Sequence, residues 1–380
     1  MTRIFTMSQD RVQTTGGYLS AVSGPTTLAV VAVAVALAVD SITGGTLEAI
    51  LVSGLVFLCL TVSLQALMGN TGLIFFGQFA FVAVGAYVSG VLTVPVASRG
   101  ALLPDLPPWL EELEVSFGVS ILAGALAGAV VAAIASPVLV RVSGLAAAVV
   151  SLGLLFIVGD IIRESPSITR GAMMFPGVPF DTNLGVAGLT VVVMTLAASA
   201  FKFSRWGLQA RAGRDDAVAA ESSGLSQTRV RMPALVLGGL LSGAAGAVWA
   251  HYLTSFSPAT FGIDPAIVVV IMAVIGGLNS VSGAIAGASI VVIWQELARQ
   301  VEGGLLLFGT QLPRLPEFGT LTLGIGLIIV LAVRPHGLLG SRELQFLRPS
   351  LSRSSASSGS QPGVQGATDD LQNQRGKDQK

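Results

Sequence analysis

Few residues in this chain are equipped for bond-making chemistry. His251 and His336 lie far apart, Cys59 stands alone inside an apolar run, and no Cys/His/Asp group has metal-ligand spacing. There is no G-x-x-x-x-G-K-[ST] loop to cradle ATP phosphates. Serines are scattered through small-residue runs without a neighbouring base to activate them. The sequence therefore reads as no enzyme, with no metal site and no cofactor. What stands out is charge in the wrong place. Only 11% of the chain is Asp, Glu, Lys or Arg, yet SRWGLQARAGRDDAVAAESSGLSQTRVRMP, residues 204–233, holds five arginines and three acids between long apolar runs.

The elements that must position this island are dictated by composition. With 52% hydrophobic residues and a mean hydropathy of +0.77, the chain is far more apolar than a soluble domain. Lipid cannot satisfy backbone N–H and C=O groups, so crossing a bilayer takes helices of roughly 20 apolar residues. Ten segments are predicted, near 26–46, 47–68, 72–93, 116–140, 144–162, 184–203, 233–254, 265–279, 281–300 and 318–333. The fold class is all-α and polytopic, with both termini cytoplasmic. Alternating sides on that basis puts residues 1–25, 69–71, Arg141, the island and everything after Arg334 inside. Sixteen of the 21 basic residues then lie inside, as the retention of basic loops in the cytoplasm requires. Gly77-Gln78 and Gly276-Gly277 interrupt two of the runs, each readable as a broken or re-entrant helix.

Three regions follow: a cytoplasmic segment 1–25, a transmembrane domain 26–340 containing the loop 204–232, and a Ser/Gly/Gln-rich cytoplasmic tail 341–380 that reads as disordered. The first apolar run is read as a retained span, although Ala36-Leu37-Ala38 offers a cleavage-like pattern. Net charge is zero, which gives no reason to expect a nucleic-acid partner. Glycine pairs such as Gly124/Gly128, Gly239/Gly243 and Gly283/Gly287 place small residues on one helix face and predict close helix packing. Asp160, Glu296 and His251 fall near outer span ends and read as interfacial groups.

Within the island, Arg211–Gly224 reads RAGRDDAVAAESSG. The alanines favour a short helix, begun by Asp215 and Asp216 and stopped by Gly224. A solvated connector held by arginines near anionic lipid headgroups is one reading. The other comes from likeness. Val218-Ala219-Ala220, three residues, then Gly224 resembles the EAA-x-x-x-G coupling loop of ABC importer permeases, with valine where that pattern has glutamate. More specifically, the chain resembles the permeases of branched-chain amino-acid importers. The similar blocks are GNTGLIFFGQFAFVAVGAY at 69–87, SRWGLQARAGRDDAVAAESSGLS at 204–226, LSGAAGAVWAHYLTSFSPATF at 241–261, VIGGLNSVSGAIAGA at 274–288 and RPHGLLG at 334–340.

That resemblance implies the ABC importer permease fold in a prokaryotic inner membrane. It also implies a second permease, two ATP-binding subunits and a periplasmic or extracellular solute-binding protein. Arg211, Arg214, Asp215, Asp216, Ala219, Ala220 and Gly224 would seat the ATPase. Polar groups in Gly-rich or broken helices, Gln65, Asn70, Gln78, Ser151 and Asn279, would line the path of a small-molecule solute. The chain departs from the family's pattern where Leu73-Ile74-Phe75-Phe76 replace a stretch commonly carrying Gln and Ser, and again at Ser167–Ala172. Branched-chain amino acids are thus the first expectation for the solute, with urea or amides as alternatives. An ion-coupled carrier working without an ATPase is the rival mechanism.

Overall fold

A computed structural model describes residues 15–302, 306–307, 310–311, 317–335, 337–340 and 343. The helices are α1 (Thr15–Thr43), α2 (Glu48–Thr71), α3 (Gln78–Thr93), α4 (Val96–Leu102), α5 (Pro108–Glu111), α6 (Phe117–Leu139), α7 (Gly144–Arg163), α8 (Pro166–Thr169), α9 (Leu184–Phe203), α10 (Arg205–Asp215), α11 (Ala217–Ser222), α12 (Gln227–Leu253), α13 (Ile263–Gly276), α14 (Val281–Glu302) and α15 (Phe318–Val333). Among the described residues the only strands are a two-residue antiparallel pair, Leu306–Leu307 with Thr310–Gln311.

All ten apolar runs fold as helices, but ten spans is too many for what the described residues show. Eight helical runs are long and apolar enough to cross a membrane, or nine if α3 and α4, bent by 117° at their junction, count as one. Two runs fall short for local reasons. Residues 72–77 are irregular: Gly72, at φ +68°, ends α2 and α3 starts only at Gln78, so α3 has 16 residues. At 1.5 Å per residue, α15 with its 16 residues is about 24 Å long, less than the roughly 30 Å hydrocarbon core. The second interrupted run, by contrast, is a helix to Gly276 followed by a tight turn, in which Gly277 takes φ +116°.

α2 and α12 form the buried centre, with α12 packed most extensively on α6, then α3 and α2. Glycine sets the spacing there. A methyl group at Gly124 would meet the Gly85 carbonyl oxygen at 2.8 Å, and one at Gly128 would meet the Gly243 Cα at 3.0 Å, so α3, α6 and α12 touch backbone to backbone. Outward positions on α6 and α7, such as Leu122, Leu126, Ile134, Val149 and Ile157, are exposed and apolar, the pattern of helix faces meant for lipid or a membrane partner.

The loops sort onto two faces. On one, Arg99 is buried and donates to the carbonyls of Val94 (2.8 Å), Leu110 (2.5 Å) and Leu113 (2.9 Å), and Phe175 pairs with Phe256 through two backbone bonds. Asp160 and Glu296 are partly or largely exposed, paired at 2.8 Å with Arg163 and Arg299. His251 departs from its interfacial reading. It is fully buried between α6 and α3, bonded to the Ala247 carbonyl (2.8 Å) and Thr93 Oγ1 (3.0 Å), with the Phe117 ring tilted against it at 4.6 Å, since these partners satisfy both nitrogens without water. The opposite face carries the charged island.

Candidate functional site

The island is two helices. Ser204 caps α10, its Oγ accepting from the Gly207 N–H at 3.3 Å, and Asp216 caps α11 through the Ala219 N–H at 2.9 Å. The predicted helix thus starts one residue after Asp216, and Gly224 at φ +83° ends the motif. α10, which the sequence reading did not resolve, lies against the bundle through Gly207, Ala210 and Gly213, small residues spaced three apart along one face. α11 is the reverse. Only Ala220 is buried; Val218 is 78% exposed, and Ala219, Glu221 and Gly224 are also exposed.

The island's arginines turn inward. Arg214 donates to the Gly69 carbonyl at the end of α2 and to Asn279 Oδ1 (2.9 Å), and pairs with Asp215 at 2.8 Å. Arg211 donates to the Lys202 carbonyl at 2.9 Å and lies over the Phe203 ring. Burial first, and the charge of Arg214 second, press the Arg211 guanidinium below its usual value. Lys202, the last charge of α9, is itself buried. Its ammonium contacts the Asn279 carbonyl and pairs with Glu343 at 2.5 Å. Glu343 also accepts from Ser280 Oγ (2.9 Å) and from the N–H groups of Val281 (2.8 Å) and Ser282 (3.1 Å), the first turn of α14.

The five polar pathway residues do not form one cluster. Gln78 and Ser151 come together at the end of the irregular segment 72–77. Gln78 Nε2 donates to the Leu60 carbonyl (2.7 Å) and Ser63 Oγ (2.6 Å), Ser242 Oγ bonds Ser63 Oγ (3.2 Å), and Ser151 Oγ accepts from the Phe76 N–H (3.0 Å). Asn279 belongs instead with Arg214 and Lys202. Gln65 reaches its neighbour, the Leu278 carbonyl, at 3.4 Å, and Asn70 bonds back to its own helix at Ala66. Lys202, Glu343, Ser63 and Ser242 were missed by the sequence reading. Lys202 carried a signal, being the only lysine before residue 377. Glu343 falls in the segment that the sequence reads as tail, of which residues 344–380 lie outside the described residues.

The level at which α3 starts matters. Gln78 stands beside Leu60 and Ser63, about eight residues or roughly 12 Å up α2 from Thr71. The chain climbs that distance as open backbone. Ile74 is 43% exposed there, and the peptide groups of Ile74 and Phe75 bond to no other described residue.

A helical bundle with broken elements, no nucleotide-binding loop of its own and a charged double helix tethered to one face defines a transport permease. Over residues 46–331 the sequence matches the family described as "Branched-chain amino acid transport system / permease component", and the chain belongs to that family. It is a multi-pass membrane protein and the permease subunit of an importer, a class that acts with ATPase and other subunits. Among its relatives is the high-affinity branched-chain amino acid transport system permease protein LivM of Salmonella typhimurium, 27% identical over 319 residues, covering 75% of this chain and 68% of that one. LivM of Escherichia coli is 24% identical over 320 residues with the same coverage. A probable branched-chain amino acid transport permease LivH of Methanocaldococcus jannaschii is 26% identical, covering 70% of this chain and 82% of that one. No solved structure matches.

Proposed function

We propose that this chain is one of two permeases in an ATP-driven importer of branched-chain or related amino acids in a prokaryotic inner membrane. Two ATP-binding subunits dock on its island face, which is cytoplasmic, and a solute-binding protein delivers substrate to the other. ATP hydrolysis belongs to the partner subunits. The observation that carries the coupling role is the contrast between the two island helices. α10 is packed and tethered, whereas α11 presents Val218 and Ala219 outward. An exposed valine at the tip of a charged loop is what a groove on another protein would cover. The amino-acid substrate rests on the relatives' named activity.

The solute path is assigned to the open side of residues 72–77. Peptide groups facing hydrocarbon cost several kcal/mol each when unpaired, so irregular backbone at membrane depth is tolerated only against protein or water. Leu73 and Phe75 point into the bundle, which leaves Ile74 and Phe76 toward the path. Uptake in proteoliposomes holding the complete complex tests the whole reading. Radiolabelled leucine should enter only with ATP and the binding protein, and Val218→Lys should reduce uptake at least tenfold while the permease stays inserted. Leucine entry driven by an ion gradient without ATP would refute it.

A further inference from the structure

The segment after α15 docks on the end of α13. Leu338 and Leu339 donate backbone bonds to the carbonyls of Ile275 (2.9 Å) and Gly276 (3.1 Å), the last residues of α13. Gly337, at φ +78°, lies so close to Gly277 that a Cβ there would fall 2.6 Å from the Gly277 Cα. Three residues beyond Gly340, the Glu343 carboxylate sits across the start of α14 and against Lys202, with both side chains under a tenth exposed. Lys202 in turn lies two residues before the cap of α10, its own carbonyl held by Arg211 and its ammonium sharing Asn279 with Arg214. Through this one carboxylate the C-terminal segment, the α13–α14 turn, the end of α9 and the first island helix form a continuous polar chain.

We propose that Glu343 is a positioning residue for coupling: its carboxylate clasps the end of α9 to the start of α14, so that movement of the island helices is passed to α13 and α14 as one body. A carboxylate suits this place. It can accept from a lysine, a hydroxyl and two helix N-terminal N–H groups together, whereas a neutral amide has one acceptor oxygen. Without the clasp, α10 remains folded on α12 through its small residues and keeps the Arg214–Asn279 bond, but the end of α9 is no longer tied through Glu343 to the start of α14. The inference rests on the importer reading above.

The test uses the complete importer in proteoliposomes with Glu343→Gln, Lys202→Met and the double variant, and two readouts. Hydrogen exchange reports the clasp itself, and solute taken up per ATP hydrolysed reports coupling. Glu343→Gln, which preserves shape, should raise exchange at least fivefold in residues 205–215 and 278–284 and lower the uptake-to-hydrolysis ratio at least threefold. The double variant, free of a lone buried charge, should insert as well as wild type yet keep the low ratio, separating lost coupling from lost folding. Unchanged exchange in Glu343→Gln would overturn the clasp. Raised exchange with an unchanged ratio would overturn its coupling role. A wild-type complex that needs no ATP would remove both this inference and the importer reading, and is recognised without any variant.

Discussion

Glu343 shows how one side chain can carry more consequence than its exposure suggests. Burial alone would raise its carboxyl pKa, but the Lys202 ammonium and the N–H groups of Val281 and Ser282 outweigh that and hold it below the ordinary 4.5. A depressed carboxylate contributes stability that is complete above its unfolded value and is lost as pH falls through the folded one. The cations around it are Lys202, Arg211 and Arg214. The melting midpoint of the detergent-solubilised protein should therefore stay level down to the ordinary carboxylate range and drop only on further acidification. Glu343→Gln should lose that acid step. Whether the pair adds net stability is a separate matter, because exchanging both partners for apolar groups is often neutral, whereas removing one costs about 3–5 kcal/mol. Nothing local in the sequence revealed this residue. Its partner lies 141 positions away, and SRELQ has the composition of the polar tail that follows.

Elements were far more legible, because lipid imposes one solution on a long apolar run. Every predicted segment is a helix, and α7, α9 and α14 match their expected bounds within a few residues. The glycine pairs were equally readable, since close packing is what small residues at four-residue spacing allow. What periodicity could not give was where a helix stops inside the membrane. Gly72 and Gly77 bracket an apolar stretch that leaves the helix, where the Phe76 N–H bonds Ser151 and Gln78, just beyond, bonds Ser63. α10 was hidden because tertiary packing of Gly207, Ala210 and Gly213 supports a helix that two glycines would weaken in isolation. The packing argument makes a measurable claim. Gly243→Val would force its side chain onto the backbone of Gly124 and Ala125 in α6, neither able to yield cheaply. Folded yield should fall severalfold, whereas the same change at Gly153, which has open space, should leave yield within a factor of two.

At the scale of the whole molecule, the exposed surfaces fall into two kinds that a membrane distinguishes. Leu126 and Ile134 on α6 expose apolar side chains over fully bonded helical backbone, which hydrocarbon accepts. Ile74 is equally apolar but stands on backbone whose peptide groups bond to no other described residue, which hydrocarbon does not accept. The difference predicts water beside Ile74 in the working assembly. The chain is well suited to the measurement, because its single cysteine, Cys59, is fully buried and should stay silent. Ile74→Cys in the complete complex should be labelled by a small water-soluble thiol reagent at least tenfold faster than Leu126→Cys, and transported amino acid should slow that labelling by occupying the same path. Equal, slow labelling at both positions would mean that a second membrane chain seals residues 72–77 from water, and the solute path would then have to run elsewhere. Protection by substrate at Ile74→Cys, absent with a non-transported amino acid, would tie the open backbone to the solute itself.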